Sequence, residues 1–361
     1  MLNAKLALSD GTILEGKGFG TEKSITGEAV FTTSLVGYEE SITDPSYKGQ
    51  ILTFTYPLIG NYGVREKDFE SENVQITAMI TREYNDFNHH RNSVKSLDKF
   101  LKEFDIPAIS GIDTRMLVRK LRNHGVMNSA LITSKDEISD EEVLKLVNKS
   151  QDYSEINFLK EVSVEKPVFH DAKGEKTIVL IDTGVKLSII REFLKRKINV
   201  WQMPYNTKPD EVTDLKPNGI FLANGPGDPE RATDAIKLVR ELQEEFPITG
   251  ICLGNQIIAL ALGGKTYKLK FGHRGINQPV KDLLSGKVYI TSQNHGFAVE
   301  EKSLDGTGLE VSMINLNDNS VEGLNHKKLP IHTIQFHAEA NPGPWDCNWI
   351  FDRFVSNRNA N

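Results

Sequence analysis

Pro247-Ile-Thr-Gly250-Ile-Cys252-Leu-Gly254-Asn-Gln256-Ile-Ile-Ala-Leu-Ala-Leu262 is the stretch on which the fold of the C-terminal half turns. A short apolar run entered from Pro247 suits a buried parallel strand, and residues 256–262 are good helix formers closed by Gly263 and Gly264. Cys252 therefore sits on the turn between a strand and a helix. Gly250 and Gly254 stand two residues to either side of it, the spacing of a nucleophile elbow, where the backbone is strained and packed too closely for side chains. Such a turn lifts the sulfur to the top of the sheet and aims a helix N-terminus at it, whose partial positive charge favours an anionic sulfur. A free cysteine in an arbitrary protein is more often a small buried hydrophobe. A second segment, Ile334-Gln-Phe336-His337-Ala-Glu339, weighs against that here: an apolar strand over residues 331–336 ends at a histidine with a carboxylate two residues on. Cysteine as nucleophile, histidine as base and carboxylate as orienter make a complete triad of Cys252, His337 and Glu339.

Around the elbow, strands and helices alternate. Residues 177–181, 199–203 and 219–223 are apolar strands, and 187–197 and 230–246 have helical spacing. Apolar strands joined through helices predict parallel pairing by right-handed crossovers, hence an α/β fold with a doubly wound, mostly parallel sheet. Ligands in such sheets bind beyond the carboxyl ends of the strands. Cys252 and the loop Asn224-Gly225-Pro-Gly227-Asp-Pro229 both fall there. Every residue of that loop is a turn former, but its glycines also let a backbone N–H approach a substrate carbonyl. With the N–H of Leu253 they would form an oxyanion hole.

Past Gly264 the pattern changes to hairpins, with strands at 287–291, 298–300, 309–314 and 320–325. Residues 292–297, Ser-Gln-Asn-His-Gly-Phe, fall in a connection, and 272–277 form a polar loop near the site. His295 is a rival base for Cys252, but the carboxylate beyond His337 decides for His337. A helix over 345–358 packs through Trp349, Phe351 and Phe354, and Cys347, lacking an elbow, is structural.

The N-terminal region opens as β-structure, with Asp10-Gly11 turning between strands at 4–8 and 13–14. Further strands are expected at 28–35, 50–56 and 74–81, and a helix over 94–104. Asp113 caps a basic helix reaching Arg122, with Gly125 ending it. Its Arg115, Arg119, Lys120 and Arg122 fit either a solvated face or a contact with an anionic partner chain. Ser139 opens a capping box for one more helix. These segments make a separate mixed α+β domain over residues 1–147. Residues 148–175 are polar and without period, a linker, and 176–361 form the second domain.

The two motifs together, G-x-C-L-G-x-Q at Gly250–Gln256 and Q-F-H-x-E at Gln335–Glu339, resemble the class I (triad) glutamine amidotransferases. Two positions depart from the usual pattern: Asn255 where histidine is common, and Ala338 where proline is common. Thr43-Asp-Pro-Ser46 taken alone is only a turn, but the stretch around it, from Val36-Gly37-Tyr38 to Gly60-Asn61-Tyr-Gly63, resembles the N-terminal domain of the small subunits of carbamoyl-phosphate synthetases. That resemblance implies a serine, Ser46, reaching the glutamine substrate. It also implies L-glutamine contacts from Gly225, Gly227, Leu253, Gln256, Asn294, Gly296 and Phe297. A large synthetase subunit is implied as partner, carrying ATP, bicarbonate and metal ions, and higher oligomers of the heterodimer are conceivable. The carbamoyl phosphate would serve arginine or pyrimidine synthesis.

Composition agrees with this class. At 361 residues with 39% hydrophobic content the chain has material for two cores. The net charge of −6 is interspersed, with no basic block to bind nucleic acid. No apolar run reaches the ~18 residues of a membrane span, and two cysteines suit a reducing compartment, so a cytoplasmic location is expected. There is no metal-ligand spacing and no P-loop, so no cofactor or metal is expected on this chain. The readings left beside a carbamoyl-phosphate-forming glutaminase are a glutaminase serving another synthase, a silent regulatory or scaffold subunit, and a free-standing cysteine hydrolase.

Overall fold

The structure, a computed structural model, describes residues 2–87 and 89–356. They fall into two compact units, Met1–Ile156 and Asn157–Asn361. The division lies inside the polar stretch 148–175. That stretch carries short pieces of its own, including a strand, Val168–His170, at the edge of the second unit's sheet.

The first unit is built on a closed barrel. In order around it run Leu2–Leu8, Ile13–Gly20, Pro107–Ser110, Ala78–Ile80, Gln50–Phe54, Lys23–Thr32 and Met127–Ser134, which pairs back onto the first. Closure removes the unpaired strand edges. Alternating Leu6, Leu8, Val30, Leu52, Met79 and Ala108 are buried within it or beneath its helices. Asp10 and Gly11 turn the first hairpin: Gly11 has φ 86°, and Asp10 Oδ1 accepts from the Thr12 amide at 3.0 Å. Asp113 accepts from the Met116 amide at 2.9 Å to start the helix Thr114–His124, and Gly125, at φ 99°, ends it. Between the strands Lys23–Thr32 and Gln50–Phe54 lies a buried helix, Tyr38–Thr43, to which the sequence reading gave no element, followed by a 3-10 turn, Pro45–Tyr47, at the Thr43–Ser46 turn. Burial of Tyr38 and Ile42 overrides its weak local helix signal.

The second unit is one sheet of ten strands with helices over it. Ile198–Pro204, Lys176–Asp182, Gly219–Leu222, Ile248–Ile251 and Ile331–Ile334 lie side by side and parallel. Beyond Ile331–Ile334 the sheet continues antiparallel through Val321–His326, Leu309–Asn315, Thr266–Asp282 and Val288–Val299. Two apolar clusters sandwich the parallel part. One contains Leu180, Phe193, Phe221 and Phe351; the other contains Val179, Leu222, Leu238 and Ile257.

Two stretches differ from expectation. Residues 272–277 are part of the 17-residue strand Thr266–Asp282, and residues 292–297 lie inside the 12-residue strand Val288–Val299. They resemble loops because their ladder is broken by register shifts between Lys268 and His273 and between Gly275 and Gln278, and glycine and amide residues sit at such irregularities. The helix expected over 345–358 begins later, at Ile350–Ser356; residues 357 and 358 lie outside the described residues.

Candidate active site

Cys252 occupies the turn between Ile248–Ile251 and the helix Leu253–Ala261, at φ 57° and ψ −105°, a conformation that L-residues rarely adopt. The elbow is held by its neighbours' lack of side chains. A Cβ on Gly254 would stand 2.2 Å from the Leu222 carbonyl oxygen, and one on Gly250 would stand 2.8 Å from the Gly254 carbonyl carbon. The Cys252 amide donates to the Ile334 carbonyl at 2.9 Å, tying this turn to the strand that leads to His337. The thiol is buried and lies 3.5 Å from the Asn294 carbonyl oxygen.

His337 arrives just past the end of Ile331–Ile334, and its amide donates to the Ser292 carbonyl at 2.8 Å. Its Nδ1 meets Glu339 Oε1 at 2.5 Å, which leaves Nε2 for the reacting partner. Nε2 has no full hydrogen bond among the described residues, and the Cys252 thiol acts on the ring as a hydrogen-bonding neighbour. Burial alone would push the imidazole pKa down. The Glu339 carboxylate outweighs it and raises the pKa well above the ordinary histidine value, against the opposing charge of Lys186. Burial would likewise raise Glu339, but Lys186 and His337 together hold it well below the usual carboxylate range.

Lys186 escaped the sequence reading. Its Nζ is buried, 3.1 Å from Glu339 Oε1 and 2.6 Å from the Ala340 carbonyl, while its amide donates to Asn224 Oδ1 at 3.0 Å. One residue thus connects the Glu339 carboxylate to the Asn224–Pro229 loop. A lysine at the head of a helix looks like surface charge, and only the fold brings it to a carboxylate more than 150 residues away.

The substrate residues expected in the second unit lie on the elements that carry or adjoin Cys252. Leu253 and Gln256 lie on the helix that starts at the elbow, and Asn294, Gly296 and Phe297 lie on Val288–Val299. Gly225 packs tightly, since a Cβ there would come 2.0 Å from the Thr183 carbonyl oxygen and 2.9 Å from Leu253 Cδ2. Gly227 has φ 88°. Ser46 belongs to the first unit, on the turn Pro45–Tyr47, where Asp44 Oδ1 accepts from its amide at 2.9 Å. That turn follows the helix Tyr38–Thr43, which is anchored by a buried Glu39 clasped bidentately by Arg65 at 3.0 and 3.1 Å.

His295 is no base. Its Nδ1 is engaged by the Phe297 carbonyl at 2.8 Å and its Nε2 by the Gln293 amide at 3.0 Å. Burial, reinforced by the charge of His273, lowers its pKa well below the ordinary value. His273, His295 and Glu322 are the group of described residues whose donor atoms converge closely enough for a metal ion, within 4.8 Å of one another. His273 is already flanked by Asp318 at 2.8 Å and Glu322 at 3.6 Å, an ion-paired arrangement that accounts for the cluster.

Two family models match the chain. That described as "Carbamoyl-phosphate synthase small chain, CPSase domain" matches residues 6–131, and that described as "Glutamine amidotransferase class-I" matches residues 179–357. A carbamoyl phosphate synthase small chain of Methanocaldococcus jannaschii is 53% identical over 358 residues, covering 98% of each chain. The small chain of Archaeoglobus fulgidus is 48% identical over 357 residues, again covering 98% of each. The chain belongs to the carbamoyl phosphate synthase small chain family. The family's synthase-specific model falls within the first compact unit and its amidotransferase model within the second. Among solved structures, the chain is similar to a glutamine amidotransferase of Thermotoga maritima. That likeness has 19% identity and a TM-score of 0.37, covering 45% of this chain and 76% of the other. No helix among the described residues is long and apolar enough to cross a membrane.

Proposed function

We propose that the chain is the glutaminase subunit of a glutamine-hydrolysing carbamoyl phosphate synthase. The observation that carries this is the strained Cys252 elbow joined by the Cys252–Ile334 bond to the strand of His337, whose Nδ1 is held by Glu339 at 2.5 Å. The Cys252 thiol gives its proton to His337 as Sγ attacks the side-chain amide carbon of L-glutamine, and the carbonyl becomes an oxyanion met by the Leu253 N–H and the Gly225–Gly227 loop. The C–N bond breaks as His337, kept charged by Glu339, gives its proton to the departing nitrogen, and ammonia leaves. Water then attacks the thioester with His337 as base, releasing glutamate and the free thiol. Lys186 keeps Glu339 ionised throughout, so protons pass between the imidazole and the reactants and not to the carboxylate.

Ammonia released into bulk water is protonated and loses its nucleophilicity, so the product must go directly to a partner. The family resemblance supports a large synthetase subunit that consumes ATP and bicarbonate with that ammonia to make carbamoyl phosphate. The resemblance also supports Ser46 as a glutamine contact. The test is Cys252→Ser in the assembled enzyme. Glutamine-dependent synthesis should fall by at least about 10⁴-fold, as for loss of a triad nucleophile, while synthesis from added ammonium persists. Equal loss of both activities would overturn the division of labour.

A further inference from the structure

Behind the elbow lies a line of buried side-chain amides. Thr333 Oγ1 meets Asn255 Oδ1 at 2.6 Å, Asn255 Nδ2 meets Gln335 Oε1 at 3.1 Å, and Gln256 Nε2 meets the same oxygen at 3.0 Å. Gln256 Nε2 also meets the Phe297 carbonyl oxygen at 2.8 Å. All four side chains belong to buried residues; Asn255 and Gln335 are fully enclosed. The line joins three parts of the site: the helix that starts at Cys252, the strand that leads to His337, and the Asn294–Phe297 stretch expected to line glutamine.

Amide orientations are ordinarily ambiguous, because oxygen and nitrogen can exchange by a flip. Here one end cannot flip. The Phe297 group is a backbone carbonyl, which only accepts, so Gln256 must point its NH₂ at it. That nitrogen's second hydrogen faces Gln335, which must therefore present oxygen. Asn255 must then donate to the same oxygen, and its own oxygen is left to accept from the Thr333 hydroxyl. Every member is polarised in one direction from a single fixed atom. The cost is visible: Gln335 Nε2 is buried and has no hydrogen-bond partner among the described residues, so Gln335 is oriented by its neighbours rather than by its own satisfaction.

We infer that Asn255 and Gln335 are positioning residues for glutamine: this one-way relay holds the Gln256 amide on the Phe297 carbonyl and so fixes the glutamine-lining stretch relative to the nucleophile. At position 255, where related enzymes commonly carry histidine, the requirement is one donor and one acceptor. A neutral imidazole meets it and an amide meets it. A carboxylate of the same shape does not, since it cannot donate to Gln335. The inference rests on the glutaminase reading and extends it.

The experiment uses the complex with the large subunit; its readout is glutamine-dependent carbamoyl phosphate synthesis. Asn255→Asp should raise KM for glutamine about tenfold, the equivalent of one buried hydrogen bond, with kcat within about twofold and ammonium-dependent synthesis unchanged. Asn255→His should keep KM within about twofold of the parent, the rescue that distinguishes donor–acceptor polarity from packing. Thr333→Val, which removes only the far end of the relay, should raise KM by about threefold and serves should Asn255→Asp fail to assemble. A parent-like KM in Asn255→Asp, equal damage from Asp and His, or a parent-like KM in Thr333→Val would each overturn the inference. A parent complex that does not hydrolyse glutamine at all would overturn the glutaminase reading instead.

Discussion

On the parallel side of the second unit's sheet, the site is shaped by what is missing. Gly225, Gly250 and Gly254 let backbone approach backbone where a single methyl group would collide with Thr183, Gly254 or Leu222. On the antiparallel side, the wall is shaped by what is buried: His273, Arg274, Gln293, His295, Asn315 and Glu322 are all enclosed within or beneath the strands. Cys252 is aimed by steric exclusion, which leaves a mark in the sequence at fixed local spacing. The antiparallel wall is held by hydrogen bonds between residues far apart in the chain, which leaves none. Exclusion should fail abruptly when a carbon is added, and the polar wall should fail by degrees as its charges and hydrogen bonds are changed.

The sharpest break of this contrast is Gly254→Ala. The obstacle is a backbone carbonyl of a central strand, which cannot rotate away, so the cost should lie at or above the upper end of overpacking, more than ~3 kcal/mol, and glutaminase activity should vanish with it. Gly263→Ala at the end of the same helix is the control. Its φ is 100°, yet the nearest atom to an added Cβ is 3.9 Å away, so only the backbone strain of ~1–3 kcal/mol applies. Urea unfolding of the two variants measures the difference, and equal losses would mean that packing at the elbow is not special.

Lys186→Met sharpens the contrast from the other direction, because this lysine brings a charge to the steric side. Without it Glu339 is buried with only His337 to balance it, and its pKa should rise toward the ordinary carboxylate value. Glutamine-dependent kcat should fall by about 100-fold with KM little changed, a loss in the transition state rather than in binding. A variant whose kcat stays within threefold of the parent would show that Glu339 needs no buried cation.

The elbow was legible because its requirements are local: small, cysteine, small, on a strand-to-helix step. His337 and Glu339 were legible because they end an apolar strand. The parallel order of strands followed from apolar runs separated by helices. The polar wall was not legible. Gly272–Asn277 and Ser292–Phe297 look like loops because turn-forming residues are abundant in them, yet both are bulged strand whose polar side chains find partners elsewhere. His273 pairs with Asp318 and Glu322 more than forty residues later, and Asn255 with Thr333 and Gln335 about eighty residues later. No spacing rule connects such positions before the fold does. Lys186 failed for the same reason, its partner lying in a different segment of the sheet's rim.

The mildest effect is expected where the polar wall carries charge. His273 faces Asp318, Glu322 and His295. Burial would lower its pKa, but hydrogen bonds to Asp318 and Glu322 outweigh this and raise it to about 9. A raised folded-state pKa means that the stabilisation is complete below the unfolded value of 6.5 and is lost as pH climbs through the folded value. Between pH 6.5 and about 8 the lost stability amounts to ~2 kcal/mol, at about 1.4 kcal/mol per pH unit. His273→Asn removes that titration, so the parent's advantage over the variant should shrink by this amount as denaturation midpoints are followed upward in pH. The His273 ring bonds to Asp318 and not to Cys252 or His337, so kcat should change less than stability does. If the parent and variant curves stay parallel across this interval, the wall is held by shape after all, and the two sides of the sheet differ less than their side chains imply.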